Sequence, residues 1–548
     1  MNHSDNRAGR TATSNMIFAG TRRTALAVSV AAAAVLGSGL AVSPALAQQK
    51  GGTFIKVIEN EPATLDYLFG KDFGALTTMT NIYNNLMTLD FEFAPHPELA
   101  ASWDISPDGL TYTFTLRDDV TWHDGTPFTA ADVVFTFSEL TCAMHNRAKT
   151  WCPRVESFSA DGDHTVIIKL KEPFAPLLTI LADYNSGTLI RPKHVWEGKV
   201  DKDNPQLTEP RVGTGPFVFD AWVRGSHIAL VRNDNYFKPD LPHLDRVVIQ
   251  FLPDEAGRLA ALENGDIDMI HSYILPYERV KQYQADPRFD IIEHGNEATG
   301  TNENLLMNHD NPYLQHKAVR QAIAHALNKD DIAEAAMFGA SKAAHAHIHS
   351  GVKWVYFPQY DYPHDPAKAN EMLDAAGFAR DADGKRFDLR LFWAFGRAFE
   401  GRAAEVIRSQ LAEVGIGIEI QSYDRPSFIE KVFTKRDFDM AHQLFTTSPD
   451  PTLSVVHRYK STTIGNAFAN AAGWVNEDYD RLTDIEVTIT DVAERAEVWR
   501  QIQEILMDEL PGNPLFGMPN MQLVRSSFAD VITGPIGYNG SVEGAYMK

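Results

Sequence analysis

Apolar and polar positions alternate through Thr111-Tyr112-Thr113-Phe114-Thr115-Leu116, the period of a half-buried strand. Pro107-Asp108-Gly109 predicts a turn before it, and His123-Asp124-Gly125-Thr126-Pro127 a turn after it. The period then lengthens to that of a helix. Thr129 and Asp132 read as a capping box, and Val133, Val134, Phe137 and Leu140 supply an apolar face. Further on, Thr165, Ile167 and Lys169 alternate with Val166, Ile168 and Leu170 behind an Asp161-Gly162-Asp163 turn, which predicts half of a hairpin over 161–173. Near the start, Thr53 to Val57 reads as a strand, Glu61-Pro62-Ala63-Thr64-Leu65-Asp66 as a turn, and Ile82 to Met87 as the end of a helix.

The second half of the chain repeats strand and helix in alternation. Val247 to Phe251, Ala256 to Asn264 and Asp266 to Ile270 read as strand, helix, strand, which predicts a parallel sheet. His316 to Asn328 places Val319, Ala322, Ile323, Ala326 and Leu327 on one helical stripe. Asp365 caps a further helix with Pro366 in its first position. Asp388 to Trp393 is a strand, Ala403, Ile407, Leu411 and Val414 share a helix face, Gly415 stops that helix, and Ile416, Ile418 and Ile420 alternate in the returning strand. This is a βαβ unit, and the fold class it predicts is α/β.

Composition narrows the possible partners. The 548 residues carry 72 acidic against 50 basic side chains, a net charge of −22. So acidic a body repels nucleic acid and anionic lipid heads. Residues 1–47 read as an export leader. Arg22 and Arg23 precede an uncharged stretch from Thr24 to Gln49, and Ala45-Leu46-Ala47 supplies a small-x-small cleavage pattern. The general and twin-arginine export routes both fit, and Met16 is an alternative start. Later stretches fall short of the ~18 apolar residues that a spanning helix needs. Two cysteines ten positions apart in an exported chain, Cys142 and Cys152, predict a local disulfide, with two buried free thiols as the other reading.

Residues 97 to 137, PELAASWDISPDGLTYTFTLRDDVTWHDGTPFTAADVVFTF, with Trp103, Trp122, His123, Gly125, Pro127 and Phe128 in place, closely resemble the signature region of extracellular solute-binding proteins of family 5. The resemblance implies a two-lobed α/β periplasmic binding protein, type II, of the large class with an extra inserted domain and a hinge between lobes. On that analogy lobe I takes 48–86, 184–275 and 511–548, the extra domain 87–183 and lobe II 276–510. It implies a periplasmic importer subunit: a monomer, cleaved after Ala47, that captures a small peptide or similar polar solute and delivers it to an ABC permease in the inner membrane. No cofactor and no catalysis are expected. The sequence has no G-x-S-x-G, H-E-x-x-H, G-x-x-x-x-G-K or C-x-x-C motif. A secreted hydrolase is the rival class, separated by whether a substrate is turned over.

A solute trapped between lobes needs aromatic walls and a few fixed polar anchors. The segments that reach the cleft in such proteins make Glu61, Tyr83, Asn84, Asn302, Asn304, Trp393, Arg425, Phe445, Thr447 and Asp450 the candidate ligand-binding residues. Peptide binders of the family hold the ligand's ammonium with an aspartate. Here the matching stretch is Phe445-Thr446-Thr447-Ser448-Pro449-Asp450-Pro451, so Thr447 or Ser448 takes the aspartate's place, with Asp450 nearby. Arg425 stands where oligopeptide binders carry a tryptophan and suits a carboxylate or phosphate. Cargo other than peptide therefore stays open: an opine-like acid, or, through His345, His347 and His349, a metal chelate or haem. In an extended chain those three imidazoles share one face.

Overall fold

A computed structural model describes residues 50–548 except 69–72, 200–210, 359–361 and 396. The predicted leader, 1–47, lies outside the described residues. Two large sheets organise the chain. The first has seven strands in the order Phe289–Ile292, Gln522–Arg525, Met269–Ile270, Thr53–Ile58, Arg246–Phe251, His227–Arg232 and Phe217–Val223. Thr53–Ile58 at its centre runs parallel to Arg246–Phe251 and to Met269–Ile270, as the strand–helix–strand reading of 247–270 predicts. Asp254 caps the intervening helix Glu255–Asn264, and Gly265 ends it with φ +89°.

The second sheet has five strands, in the order Ile416–Tyr423, Phe387–Ala394, Met440–Thr446, Thr301–Met307 and Gly512–Gly517. The βαβ unit is present, with Phe387–Ala394 and Ile416–Tyr423 parallel and joined by the helix Ala398–Glu413. Leu389, Leu391, Ala403, Ile407 and Leu411 pack between them in one apolar cluster. The stripe over 316–328 is divided. Lys317–Ala326 ends before Leu327, and Asn328 starts a new helix, Lys329–Met337, by accepting hydrogen bonds from the backbone N–H groups of Asp330 and Asp331. An asparagine whose side chain satisfies two free N–H groups wins over continued helix.

A third sheet, antiparallel and four-stranded, runs Ala100–Ile105, Thr111–Leu116, Thr165–Leu170, Val155–Ala160. Its inward Tyr112, Phe114 and Leu116 are buried. The capping box at Thr129 forms, Thr129 N–H donating to Asp132 Oδ2 at 2.9 Å. The helix from Ala130 passes through a π-helical stretch, Thr136–Thr141, before Cys142, which is disulfide-bonded to Cys152 with 5.6 Å between Cα atoms.

The chain crosses between the large sheets twice, at 293–300 and at 518–521. These crossings lie beyond the expected boundaries 276 and 511, because Phe289–Ile292 pairs into the first sheet and Gly512–Gly517 into the second. The crossings are tied together: Asn520 Nδ2 donates to Glu297 Oε1 at 3.2 Å and Met518 N–H to Thr301 O at 2.7 Å. Away from them the two halves also touch, Ala175 N–H donating to Val487 O at 2.9 Å.

Candidate functional site

Strand directions decide which residues face the gap between the sheets. Both crossings meet the second sheet at the N-terminal end of Thr301–Met307 and the C-terminal end of Gly512–Gly517. Met440–Thr446 runs antiparallel to Thr301–Met307, and Phe387–Ala394 and Ile416–Tyr423 run parallel to Met440–Thr446. The carboxyl ends of those three strands therefore lie on the crossing edge, the edge that faces the first sheet and where α/β sheets hold their ligands. It carries Thr301 to Glu303, Trp393 to Phe395, Arg397, Tyr423 to Arg425 and Gln443 to Asp450. On the first sheet the equivalent edge carries Glu59 to Glu61, after Ile58, and His271, after Ile270.

Arg425 sits at this edge, half-buried, its guanidinium 5.5 Å from the Phe428 ring centre and 5.4 Å from that of Phe468. Among the described residues its polar partner is Gln443 Oε1, at 3.4 Å. Burial, with Arg397 adding, lowers its pKa. Arg397 lies beside it, partly exposed, and donates to Glu400 Oε1 at 2.9 Å. Two neighbouring guanidiniums at a partly dry edge, one of them set against phenyl rings, are suited to carboxylate or phosphate. Exposed Phe395 and Phe468 add aromatic surface. Arg397, Phe395, Phe468 and Glu400 were not among the expected residues. The signal for Arg397 is its place directly after the strand Phe387–Ala394, where functional residues collect in α/β folds.

The expected residues scatter over three places. Trp393 is half-buried on the helix side of the sheet, packed so closely over Gly401 that a Cβ there would lie 3.0 Å from the indole. Asn302, Thr447 and His349 gather at the crossings: Asn302 Nδ2 donates to Ala346 O at 3.2 Å, Thr447 N–H to Gly300 O at 2.6 Å, and His349 N–H to Thr447 Oγ1 at 3.1 Å. Asn304 Nδ2 donates to Asn302 O at 2.9 Å, and its Oδ1 is buried without a hydrogen-bond partner. Phe445 is buried beneath the Arg458 guanidinium, 4.4 Å from its ring centre.

In the first half, Glu61 accepts Gly225 N–H at 2.9 Å and pairs with Arg224 at 3.4 Å. Tyr83 is buried, its hydroxyl pKa pushed upward by burial. Asn84 lines a cavity of about 360 Å³ and donates to Glu98 Oε1 at 2.6 Å. Lys238 bridges Glu98 and Glu543 on the same wall, at 2.7 and 2.8 Å.

Asp450 is committed elsewhere. Both its oxygens accept from Arg495, at 2.6 and 2.8 Å, in a pair with side chains 3 % and 6 % exposed. The three histidines also part company, because bends through 346–348 interrupt the extended chain that the shared face assumes. His347 turns inward and shares a 3.0 Å hydrogen bond with the Tyr459 hydroxyl, while His345 and His349 line a different cavity. Among the described residues no three His, Cys, Asp or Glu side chains are grouped to hold a metal.

Two α/β halves joined by paired crossings, with a further sheet inserted in the first, define the architecture of a periplasmic-type binding protein. The family described as bacterial extracellular solute-binding proteins, family 5 Middle, matches residues 94–467, and the chain belongs to it. Similar curated proteins include heme-binding protein A of Haemophilus influenzae, 28% identical over 84% of this chain and 85% of the relative. The oligopeptide-binding protein AppA of Bacillus subtilis is 26% identical over 84% of this chain and 86% of its own. Among solved structures, NikA from Brucella suis in complex with Fe(III)-EDTA matches the fold with a TM-score of 0.79 at 23% identity, covering 89% of this chain and 99% of that one.

Proposed function

We propose that the protein captures a small peptide or similar polar solute between its two halves, releases it unchanged, and serves the permease of a bacterial ABC importer. Relatives named as oligopeptide- and peptide-binding support the cargo class, and a relative named as a periplasmic component of a peptide ABC transporter supports the partner and the compartment. In this reading the leader 1–47 directs export and is cut after Ala47, and the mature chain works as a monomer. The lobes are 50–292 with 522–548 and 301–517, the third sheet is an extra domain within 87–183, and 293–300 with 518–521 form the hinge.

The observation that carries the reading is the paired Arg397 and Arg425 at the edge facing the first sheet, with Arg425 held between two phenyl rings. It also favours a second reading, an acidic solute without an ammonium group. Thr447 is buried and bonded at the crossing, and Asp450 is paired with Arg495, so neither offers a ready ammonium anchor. Thermal-shift screening of di- and tripeptides, amino-acid derivatives and opine-like acids tests both, since a ligand that binds only the folded state raises the melting temperature. Arg425→Ala is expected to weaken the cargo found by roughly tenfold or more, the worth of one charge-assisted contact. Unchanged affinity removes Arg425 from the site, and chemical alteration of the cargo removes the transport reading.

A further inference from the structure

Behind the two guanidiniums the second sheet buries three titratable side chains that gripping a solute does not by itself require. Glu303, on Thr301–Met307, and His442, on Met440–Thr446, have fully buried side chains, with Glu303 Oε1 3.1 Å from His442 Nδ1. Glu303 Oε2 and His442 Nε2 are buried without a hydrogen-bond partner. Glu400, 1 % exposed in the first turn of Ala398–Glu413, completes the group. Its Oε1 accepts from Arg397 Nη1 at 2.9 Å and its Oε2 from Ala394 N–H at 3.3 Å. Both oxygens of Glu400 thus have donors, whereas Glu303 meets the His442 imidazole and the Gln443 backbone N–H and keeps one oxygen, Oε2, buried without a partner.

Two carboxylates sealed from water beside one bonded cation are unfavourable, and the arrangement relaxes when one acid keeps its proton. The bonding singles out Glu303 for that role. The directions agree: burial pushes Glu303 up to about 8 against the opposing pull of Arg397 and Arg425, and pushes His442 down to about 4. Glu400 is raised to about 7, by burial first and by Glu303 second. The uncharged acid then donates its O–H to the uncharged imidazole, whose own proton sits on Nε2.

We propose that the Glu303–His442 pair is a proton-holding positioning device that keeps its proton while Glu400 ionises beside Arg397, making the grip on an anionic cargo group dependent on pH. This rests on the reading that the Arg397–Arg425 edge meets cargo, and it adds residues that act through Arg397 rather than by contact. The charged and titratable groups facing Glu303 are Arg397, Arg425, Glu400 and His442. As pH rises, Glu400 and then Glu303 lose their protons, negative charge accumulates behind the guanidiniums, and an anionic guest is held less firmly.

The test is run without cargo, so its failure is distinguishable from failure of the transport reading. Imidazole ¹⁵N NMR of the wild-type protein, with His442→Gln used only for assignment, is expected to show His442 uncharged and protonated on Nε2 at pH 7. Side-chain carboxyl ¹³C titration, assigned with Glu303→Gln and Glu400→Gln, is expected to show both glutamates titrating above the ordinary range, with the Glu400 midpoint moving down in Glu303→Gln. A His442 imidazolium at pH 7, a Glu303 carboxylate at pH 6, or a Glu400 midpoint indifferent to Glu303→Gln overturns the proposal. If Glu303→Gln does not fold, the wild-type tautomer decides.

Discussion

Replacing Asp450 by asparagine separates a carboxylate that holds the fold from one that holds the cargo. Asp450 faces Arg495 through two parallel bonds of 2.6 and 2.8 Å, with 3 % and 6 % of the side chains exposed. Arg495 also donates from Nε to Glu486 Oε2 at 2.8 Å, and the Trp499 indole donates to the same oxygen at 3.1 Å. In the variant Arg495 keeps Glu486 but loses a charged, two-pronged partner in a place closed to water. Breaking a buried pair by removing one member costs about 3–5 kcal/mol, most of it the charge left behind. Urea unfolding of Asp450→Asn is thus expected to show a loss of about 3–5 kcal/mol, while calorimetric affinity for the cargo changes by less than about twofold. Arg495→Met is expected to be at least as damaging, since it strands two carboxylates, and a double-mutant cycle should give a large coupling energy. Asp450→Asn that unfolds like the wild type within about 1 kcal/mol, yet binds cargo tenfold more weakly, refutes this assignment and returns Asp450 to the binding site.

Two other perturbations follow from buried or covalent features. Lys56 is fully buried, donates to the carbonyls of Tyr538 and Gly540, and stands over the Tyr538 ring; burial lowers its pKa from 10.5 to about 7. The unfolded chain binds more protons than the folded one between those values, so stability should rise with pH from about 7 toward 10.5, by up to about 5 kcal/mol. Lys56→Met should flatten that part of the urea-unfolding pH profile, and an unaltered slope counts against it. Removing the Cys142–Cys152 bond by a double serine substitution should cost about 3 kcal/mol at most, because the loop it closes is short. A much larger loss would mean that the bond holds more than its own loop.

Short-range pattern carried the strand Thr111–Leu116, the capped helix from Ala130 and the βαβ unit, because each is specified by alternation, caps and a glycine stop within one segment. The division at Leu327 was hidden because the apolar stripe runs straight through it, and only the Asn328 cap marks the break. The crossing positions were displaced because Phe289–Ile292 and Gly512–Gly517 take their places from partners far along the chain. The same distance hid the site. Arg495 stands 45 positions from Asp450, and Glu303 meets His442 from 139 away, so no local spacing announces either pair. Arg425 became a candidate because it stands where oligopeptide binders carry a tryptophan, and the fold sets it at the edge facing the first sheet. Glu303 was legible only as part of the polar run Thr301-Asn302-Glu303-Asn304 in a strand that is buried throughout.

The paired crossings have a practical consequence. Among the described residues no ladder of strand bonds runs from one large sheet to the other; the covalent links are 293–300 and 518–521. If capture moves the halves about these links, as proposed, each sheet's own ladder would stay intact while contacts such as Ala175 N–H to Val487 O part, so two dyes fixed on opposite rims would change separation without either sheet melting. A fluorescent reporter of guest concentration could be built on this chain with labels at the rims alone.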